Sequence, residues 1–396
     1  MEEWFNMIDN RDIEFLRQAM ALAQCGEGAV NPNPLVGALI VRDGKVIASG
    51  YHARYGDLHA ERNAFRDADS RGIDSIGATM YVTLEPCCHH GKQPPCTEAI
   101  IEHHIGRVVV GLLDPNPLVA GHGIEILRQE GIEVEVLAQD SDLVEELRWQ
   151  NRVFLRFITT HRPWMVVKYA MTLDGKICTY TGDSQWISGP DSRQKVHRLR
   201  KAHTAILCGI GTVLADDPML NTRIEDEPEA RNPIRIVMDH HLRIPMDSKL
   251  VQTAKEIPTI VVSLGDDFNP NLNANPNYNL NPNSDFYSKR CSLQEAGVQV
   301  WQCRSLDEFM QRAGEAKIDS ILIEGGGIVN EAFLREGLID EVYAFVAPKL
   351  IGGADAKTPV EGQGIARLGD ALHLHTVGIE QLGKDVLIHC AKEAAF

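Results

Sequence analysis

Glu85-Pro86-Cys87-Cys88-His89-His90-Gly91-Lys92-Gln93-Pro94-Pro95-Cys96 gathers three thiols and two imidazoles into twelve residues, and His59-Ala60-Glu61 stands upstream at an expected helix start. One imidazole and two thiolates make three ligands of a tetrahedral Zn²⁺ and leave the fourth position to water, the arrangement of a catalytic rather than a structural site. Cysteines side by side in a Pro-rich loop with two histidines are poor core material, so a metal centre is the expectation. The spacing is His-x-Glu followed by Pro-Cys, as in zinc deaminases, but Cys87 and Cys96 are nine apart where that signature has three. On spacing alone the second thiolate is Cys88 or Cys96, with His89 and His90 as rivals. Glu61, two residues past a ligand, is too close to coordinate on the same side; it is placed to move a proton between metal-activated water and a leaving amine.

Working outward, Leu35 to Val41, the turn Arg42-Asp43-Gly44-Lys45 and Val46 to Ser49 read as a hairpin after an amphipathic helix ending near Gln24. Helices are expected over 59–69, 97–104 and 123–129, and strands over 79–84, 107–113 and 132–137. The alternation implies a three-layer α/β domain complete by about residue 140, followed by a charged helical connector over 141–160. From Arg162-Pro163 onward a second α/β domain is expected, with strands at 164–169, 205–209, 234–239, 259–263, 298–302, 320–324 and 341–347. Helices fall at about 189–202, 305–315 and 328–336. Every second residue from Asn269 to Asn283 is Asn, with Pro270, Pro276 and Pro282 between, which blocks helix and central strand and reads as a surface insertion at about 266–289.

A chain of 396 residues implies two or three domains, and 44% hydrophobic with 24% charged residues excludes a disordered or fibrous protein. Residues 1 to 150 carry 12 Lys and Arg against 24 Asp and Glu, and the remainder carries 27 against 31, so neither half is built to coat a phosphate backbone. Nine cysteines exclude a complete disulfide framework and point to a reducing compartment. The acidic N-terminus lacks a basic n-region, and no apolar run nears the ~20 residues of a membrane span. The expected location is the cytoplasm, with neither membrane nor nucleic acid as partner.

Five segments in one order carry a specific resemblance: Asn31-Pro-Asn-Pro-Leu-Val-Gly37, His59-Ala-Glu61, Tyr81-Val-Thr-Leu-Glu-Pro-Cys87, His89-His-Gly-Lys-Gln-Pro-Pro-Cys96 and Asp114-Pro-Asn-Pro117. They resemble the cytidine-deaminase-like domain of the bifunctional riboflavin-biosynthesis deaminase/reductase family. The resemblance implies His59, Cys87 and Cys96 as ligands of one catalytic Zn²⁺, Glu61 as proton shuttle, and substrate contacts from Asn31, Lys92, Asp114 and Asn116. The family commonly has Ser where Cys88 stands, and Cys88 is expected to be a bystander.

In the second half, Ser320-Ile-Leu-Ile-Glu324-Gly-Gly-Gly327 reads as a strand and glycine turn entering a helix, a place where backbone N–H groups meet a phosphate, although the Gly-x-Gly-x-x-Gly spacing is missing. With Lys168-Tyr-Ala-Met-Thr-Leu-Asp-Gly-Lys176, Ser184-Gln-Trp-Ile-Ser188 and Gly211 to Arg223, it resembles the dihydrofolate-reductase-like reductase domain of the same family. The resemblance implies an NADPH site at Ala170, Trp186, Thr212, Asp216, Gly326, Gly327, Ile328, Val329, Asn330, Glu331 and Ala332. It implies substrate contacts from Ser184, Arg200, Leu220, Arg223 and Glu324. The expected organisation is a deaminase domain over 1–145, a connector over 146–162 and a reductase domain over 163–396, acting on a phosphorylated ribosylaminopyrimidine as a dimer or tetramer. The alternative is a zinc nucleoside or tRNA deaminase with an accessory nucleotide-binding domain.

Overall fold

The computed structural model describes residues 8–90, 93–116, 119–265 and 285–393, and the chain divides between His161 and Arg162 into two compact units. In the first, Asp9 accepts from the Arg11 and Asp12 N–H groups while Asp12 accepts from the Asp9 N–H, a capping box that starts helix α1 (Asn10–Ala23). Strands β1 (Gly37–Arg42) and β2 (Lys45–Tyr51) join through Asp43 and Gly44, both at positive φ as a two-residue hairpin turn requires. The chain then alternates: α2 (Ala60–Ser70), β3 (Thr79–Leu84), α3 (Cys96–Glu102), β4 (Arg107–Leu112), α4 (His122–Gln129) and β5 (Glu133–Val136). The sheet order is β2-β1-β3-β4-β5, with β3, β4 and β5 parallel.

Two glycines bring helices hard against this sheet. A Cβ on Gly37 would lie 2.0 Å from the Ala19 carbonyl oxygen, and one on Gly50 would lie 2.3 Å from the Ala64 nitrogen, so α1 and α2 touch backbone to backbone with β1 and β2. Helices α5 (Asp142–Gln150) and α6 (Arg152–Thr160) cover the stretch read as a charged connector, and Leu143, Val144, Leu147, Phe154 and Leu155 join the first unit's core.

The second unit is built on one nine-stranded sheet. In chain order it runs β6 (Trp164–Thr172), α7 (Pro190–Ala202), β7 (Ala205–Gly209), α8 (Ile210–Asp216), β8 (Ile234–Met238), α9 (Lys249–Gln252) and β9 (Thr259–Leu264). It continues through α10 (Asp285–Glu295), β10 (Gln299–Cys303), α11 (Leu306–Glu315), β11 (Ser320–Ile323), α12 (Gly327–Arg335) and β12 (Glu341–Ala347) to β13 (His375–Leu382) and β14 (Asp385–Ala391). The order is β10-β9-β8-β7-β11-β6-β12-β14-β13, parallel through β12 and closed by an antiparallel hairpin. Buried clusters around Phe309 and Ile321, and around Val213 and Val261, form its core.

The hairpin of β13 and β14 has no counterpart in the sequence reading, because His375-Thr-Val-Gly-Ile-Glu-Gln-Leu382 is largely exposed and shows no buried alternation. The Asn-rich run lies outside the described residues, and 285–289 open α10.

Candidate active sites

Parallel strands send their C-terminal ends to one edge of a sheet, where loops collect functional groups. Cys87 follows β3, Asp114 follows β4, and Cys96 is the first residue of α3. His59 is the N-cap of α2, set there by the close seat of α2 on Gly50. His59 Nδ1 lies 3.4 Å from the Sγ of both Cys87 and Cys96, and the three donor atoms fall within 4.8 Å of one another. Bonds of about 2.0 Å to nitrogen and 2.3 Å to sulfur around one tetrahedral ion require N···S separations of about 3.5 Å, so this donor set fits Zn²⁺. Of the two thiols, Cys87 is the one held ionised: a hydrogen bond from Cys96, aided by the His59 ring, pulls it down to about 4, while the same bond and burial push Cys96 up. Among the described residues no other group of three such donors converges, which leaves Cys88, His89 and His90 outside the set.

Glu61 is 3% exposed on the first turn of α2, and burial, then the charge of Cys87, pushes its carboxyl up to about 7. Next to it Arg62 donates from Nε to the Pro94 carbonyl at 3.1 Å and from Nη2 to the Pro95 carbonyl at 2.7 Å. The start of α2 thus carries a candidate metal donor, a buried acid and a clamp on the loop that leads into Cys96. Arg62→Ala is expected to weaken zinc retention about tenfold in competition with a chelator, as loss of groups that orient ligands typically does. Unchanged retention would mean that other contacts fix the Pro94-Pro95 turn.

Of the substrate contacts implied by the resemblance, Asp114 is buried and accepts from the Asn116 N–H at 2.9 Å, a turn that spends one carboxylate oxygen locally. Burial raises the Asp114 carboxyl to about 6. Asn31 is half-buried, and Lys92 lies outside the described residues. Glu85 is buried and accepts from the Gly121 N–H at 3.0 Å, which ties the residue before α4 to the end of β3.

In the second unit the parallel strands again end at a cavity, of about 1070 Å³. Glu324 directly follows β11, Lys168 comes from its neighbour β6, and Arg200 reaches in from α7. Arg200 donates to both oxygens of Glu324 at 2.6 and 3.0 Å, and Lys168 Nζ lies 2.8 Å from Oε2. Gly326 has open space where a Cβ would stand, while a Cβ on Gly327 would meet Thr358 and Glu361, so the turn opens α12 toward the cavity on one side and packs on the other.

Ala170, Ser184, Trp186, Arg200, Thr212, Asp216, Leu220, Arg223, Glu324, Gly326, Gly327, Ile328, Val329 and Ala332 all line this cavity. Asn330 and Glu331 do not. They lie on the other face of α12, where Asn330 Nδ2 donates to the Pro359 carbonyl at 2.7 Å and Glu331 pairs with Arg335, as a period of 3.6 residues dictates once 328, 329 and 332 face inward. The sequence reading gave no role to Lys168 or His197; the spacing of His197 and Arg200, three apart on a helix, is the signal that placed both on one face.

These two centres define a class: a deaminase-type metal site and a reductase-type cavity carried by successive α/β units of one chain. Residues 9–112 match the cytidine and deoxycytidylate deaminase zinc-binding region, and residues 163–388 match the RibD C-terminal domain. Riboflavin biosynthesis protein RibD of Actinobacillus pleuropneumoniae is 44% identical over 95% of this chain and 94% of its own. The solved structure of Acinetobacter baumannii RibD superposes with a TM-score of 0.82 at 33% identity, covering 97% of this chain and 99% of that one. A diaminohydroxyphosphoribosylaminopyrimidine deaminase/5-amino-6-(5-phosphoribosylamino)uracil reductase from Thermotoga maritima gives 0.80 at 35% identity over 96% and 99%. The chain belongs to the RibD family of bifunctional riboflavin-biosynthesis enzymes, which join a deaminase to a reductase. A lone nucleoside or tRNA deaminase with an accessory unit is not favoured, since the RibD C-terminal match covers nearly all of the second unit.

Proposed function

We propose that residues 1–145 remove the ring amine of 2,5-diamino-6-ribosylamino-4(3H)-pyrimidinone 5′-phosphate and that residues 163–396, beyond a connector at 146–162, reduce the ribosyl group to give 5-amino-6-ribitylaminouracil 5′-phosphate. The observation that carries this reading is the convergence of His59, Cys87 and Cys96 beside the buried Glu61. Zn²⁺ held by those three residues supplies a Lewis acid at which water becomes a nucleophile near neutral pH. Glu61, with a carboxyl that titrates near 7, takes a proton from water and returns one to the departing amine. Asn31, Asp114 and Asn116 hold the pyrimidine edge, and Lys92 the phosphate.

In the reductase unit NADPH supplies the hydride that C1′ receives. The open backbone at Gly326 and the start of α12 favour the cofactor's phosphates, with Ala170, Trp186, Thr212, Asp216, Gly327, Ile328, Val329 and Ala332 around it. Glu324, kept ionised between Arg200 and Lys168, accepts from N–H groups of the uracil ring, while Ser184, Leu220 and Arg223 complete the substrate side. No disulfide is formed among the described residues, in keeping with the cytoplasm, and family resemblance supports an assembly of two or four chains. No helix among the described residues is long and apolar enough to cross a membrane.

The test is a single reaction containing the diaminopyrimidinone ribosyl phosphate in which ammonia and NADPH are both followed. Ammonia release followed by NADPH oxidation, with NADH a poorer donor, is expected. Ammonia release without any NADPH oxidation would overturn the reductase assignment.

A further inference from the structure

Helix α7 carries His197 one turn before Arg200, and both side chains reach the same stretch of chain. Arg200 Nη1 donates to the Asn221 carbonyl at 3.0 Å, and the Arg223 backbone N–H donates to His197 Nδ1 at 3.2 Å. A ring that accepts at Nδ1 in its neutral form carries its proton on Nε2. The half-buried ring lines the reductase cavity, where Nε2 makes no side-chain hydrogen bond among the described residues and the Asn221 carbonyl lies close to the ring.

The charges around it are already divided. Arg200 and Lys168 are committed to Glu324, and the Arg193 guanidinium lies 4.6 Å over the Trp186 ring. Arg223 is exposed, lines the same cavity and makes no ion pair or side-chain hydrogen bond among the described residues. An uncommitted guanidinium and a neutral N–H donor are therefore anchored to one backbone segment.

We propose that His197 is a positioning and binding residue of the reductase centre, fixing the backbone at Arg223 through Nδ1 and, with the Arg223 guanidinium, binding the substrate phosphate through Nε2–H. The proposal rests on the reductase reading given above. A phosphate monoester offers three strong acceptor oxygens and a charge of about −1.5 to −2 at neutral pH, which suits one cation and one neutral donor. Burial, then the charges of Arg200 and Arg223, depress the imidazole to about 4 against the opposing pull of Glu324 and the Asn221 carbonyl, so the ring stays neutral and keeps Nδ1 as an acceptor.

The test uses the full chain with NADPH, and steady-state reduction of the deaminated ribosylaminouracil phosphate and of its dephosphorylated analogue. His197→Asn retains an acceptor near Nδ1 but no donor at the position of Nε2, whereas His197→Gln extends an amide N–H to that position. His197→Asn is expected to raise KM for the phosphorylated substrate about tenfold, the effect of one hydrogen bond to a charged group, with kcat within about twofold and KM for the analogue unchanged. His197→Gln, which restores the donor but not the Nδ1 acceptor, is expected to bring KM for the phosphorylated substrate most of the way back from the His197→Asn value, leaving about a threefold loss from the freed Arg223 backbone. Equal losses on the two substrates, or an unchanged KM in His197→Asn, would overturn the proposal. Failure of the wild type to oxidise NADPH with either substrate would overturn it together with the reductase reading, and shows before any substitution is made.

Discussion

Glu61→Gln is expected to lower ammonia release by a factor on the order of 10³ while zinc content and NADPH-dependent reduction of pre-deaminated substrate stay at the wild-type level. The magnitude follows from the proposed role: Glu61 stands outside the His59, Cys87 and Cys96 set, and burial, then the charge of Cys87, pushes its carboxyl up to about 7, a value suited to giving and taking a proton. An amide of the same shape fills the space at the start of α2 but transfers no proton. Zinc lost from the variant would show that Glu61 holds the donor set together. Ammonia release kept near wild type would move the proton transfer to another group, with Asp114 next to be tested.

The second large effect is expected at Glu324. Its side chain is 8% exposed, and it is the counter-charge shared by Arg200 and Lys168, which are 13% and 14% exposed. Burial by itself would raise its carboxyl, but the Arg200 charge and then the Lys168 ammonium outweigh that and hold it well below the usual value of 4.5. Glu324→Gln leaves two cations in the cavity wall without a counter-charge, a change that costs about 3–5 kcal/mol where such a pair is buried. A fall in the urea midpoint of the second unit's unfolding and loss of reductase turnover are expected, with ammonia release by the first unit retained. A variant with wild-type stability would show that solvent or a bound anion already screens the two cations.

The pH dependence has a definite sign. Because the native carboxyl is depressed, its stabilisation is complete above about 4.5 and is lost as pH falls through the native value. The Glu324→Gln variant should therefore lose less stability than wild type on acidification below about 4.5.

Much of this was legible in the residues. The turn at Asp43-Gly44 and the Val-rich run of β4 are local signals, read from adjacent residues, and the structure places a hairpin and a central strand there. The α12 glycine turn is equally plain, yet the resemblance implies Asn330 and Glu331 in the cofactor wall because a motif has no faces; the helix turns them toward Pro359 and Arg335. The β13 and β14 hairpin is illegible for another reason, since β14 gains its order from pairing with β12 and the exposed edge strand β13 from pairing with β14, rather than β13 presenting a buried alternating face.

By itself, then, the sequence determined the two α/β units, the residue types of a zinc site and the existence of a glycine turn behind a strand, because these follow from periodicity, turn chemistry and donor type within short windows. Only the tertiary structure decided that the donor atoms of His59, Cys87 and Cys96 meet within 4.8 Å of one another, that Lys168 shares Glu324 with Arg200, and that His197 accepts from the backbone N–H of Arg223. The physical reason is the same in each case. Strands parallel in the sheet but distant in the chain deliver their ends to one edge, and no spacing along the chain encodes which of those ends become neighbours.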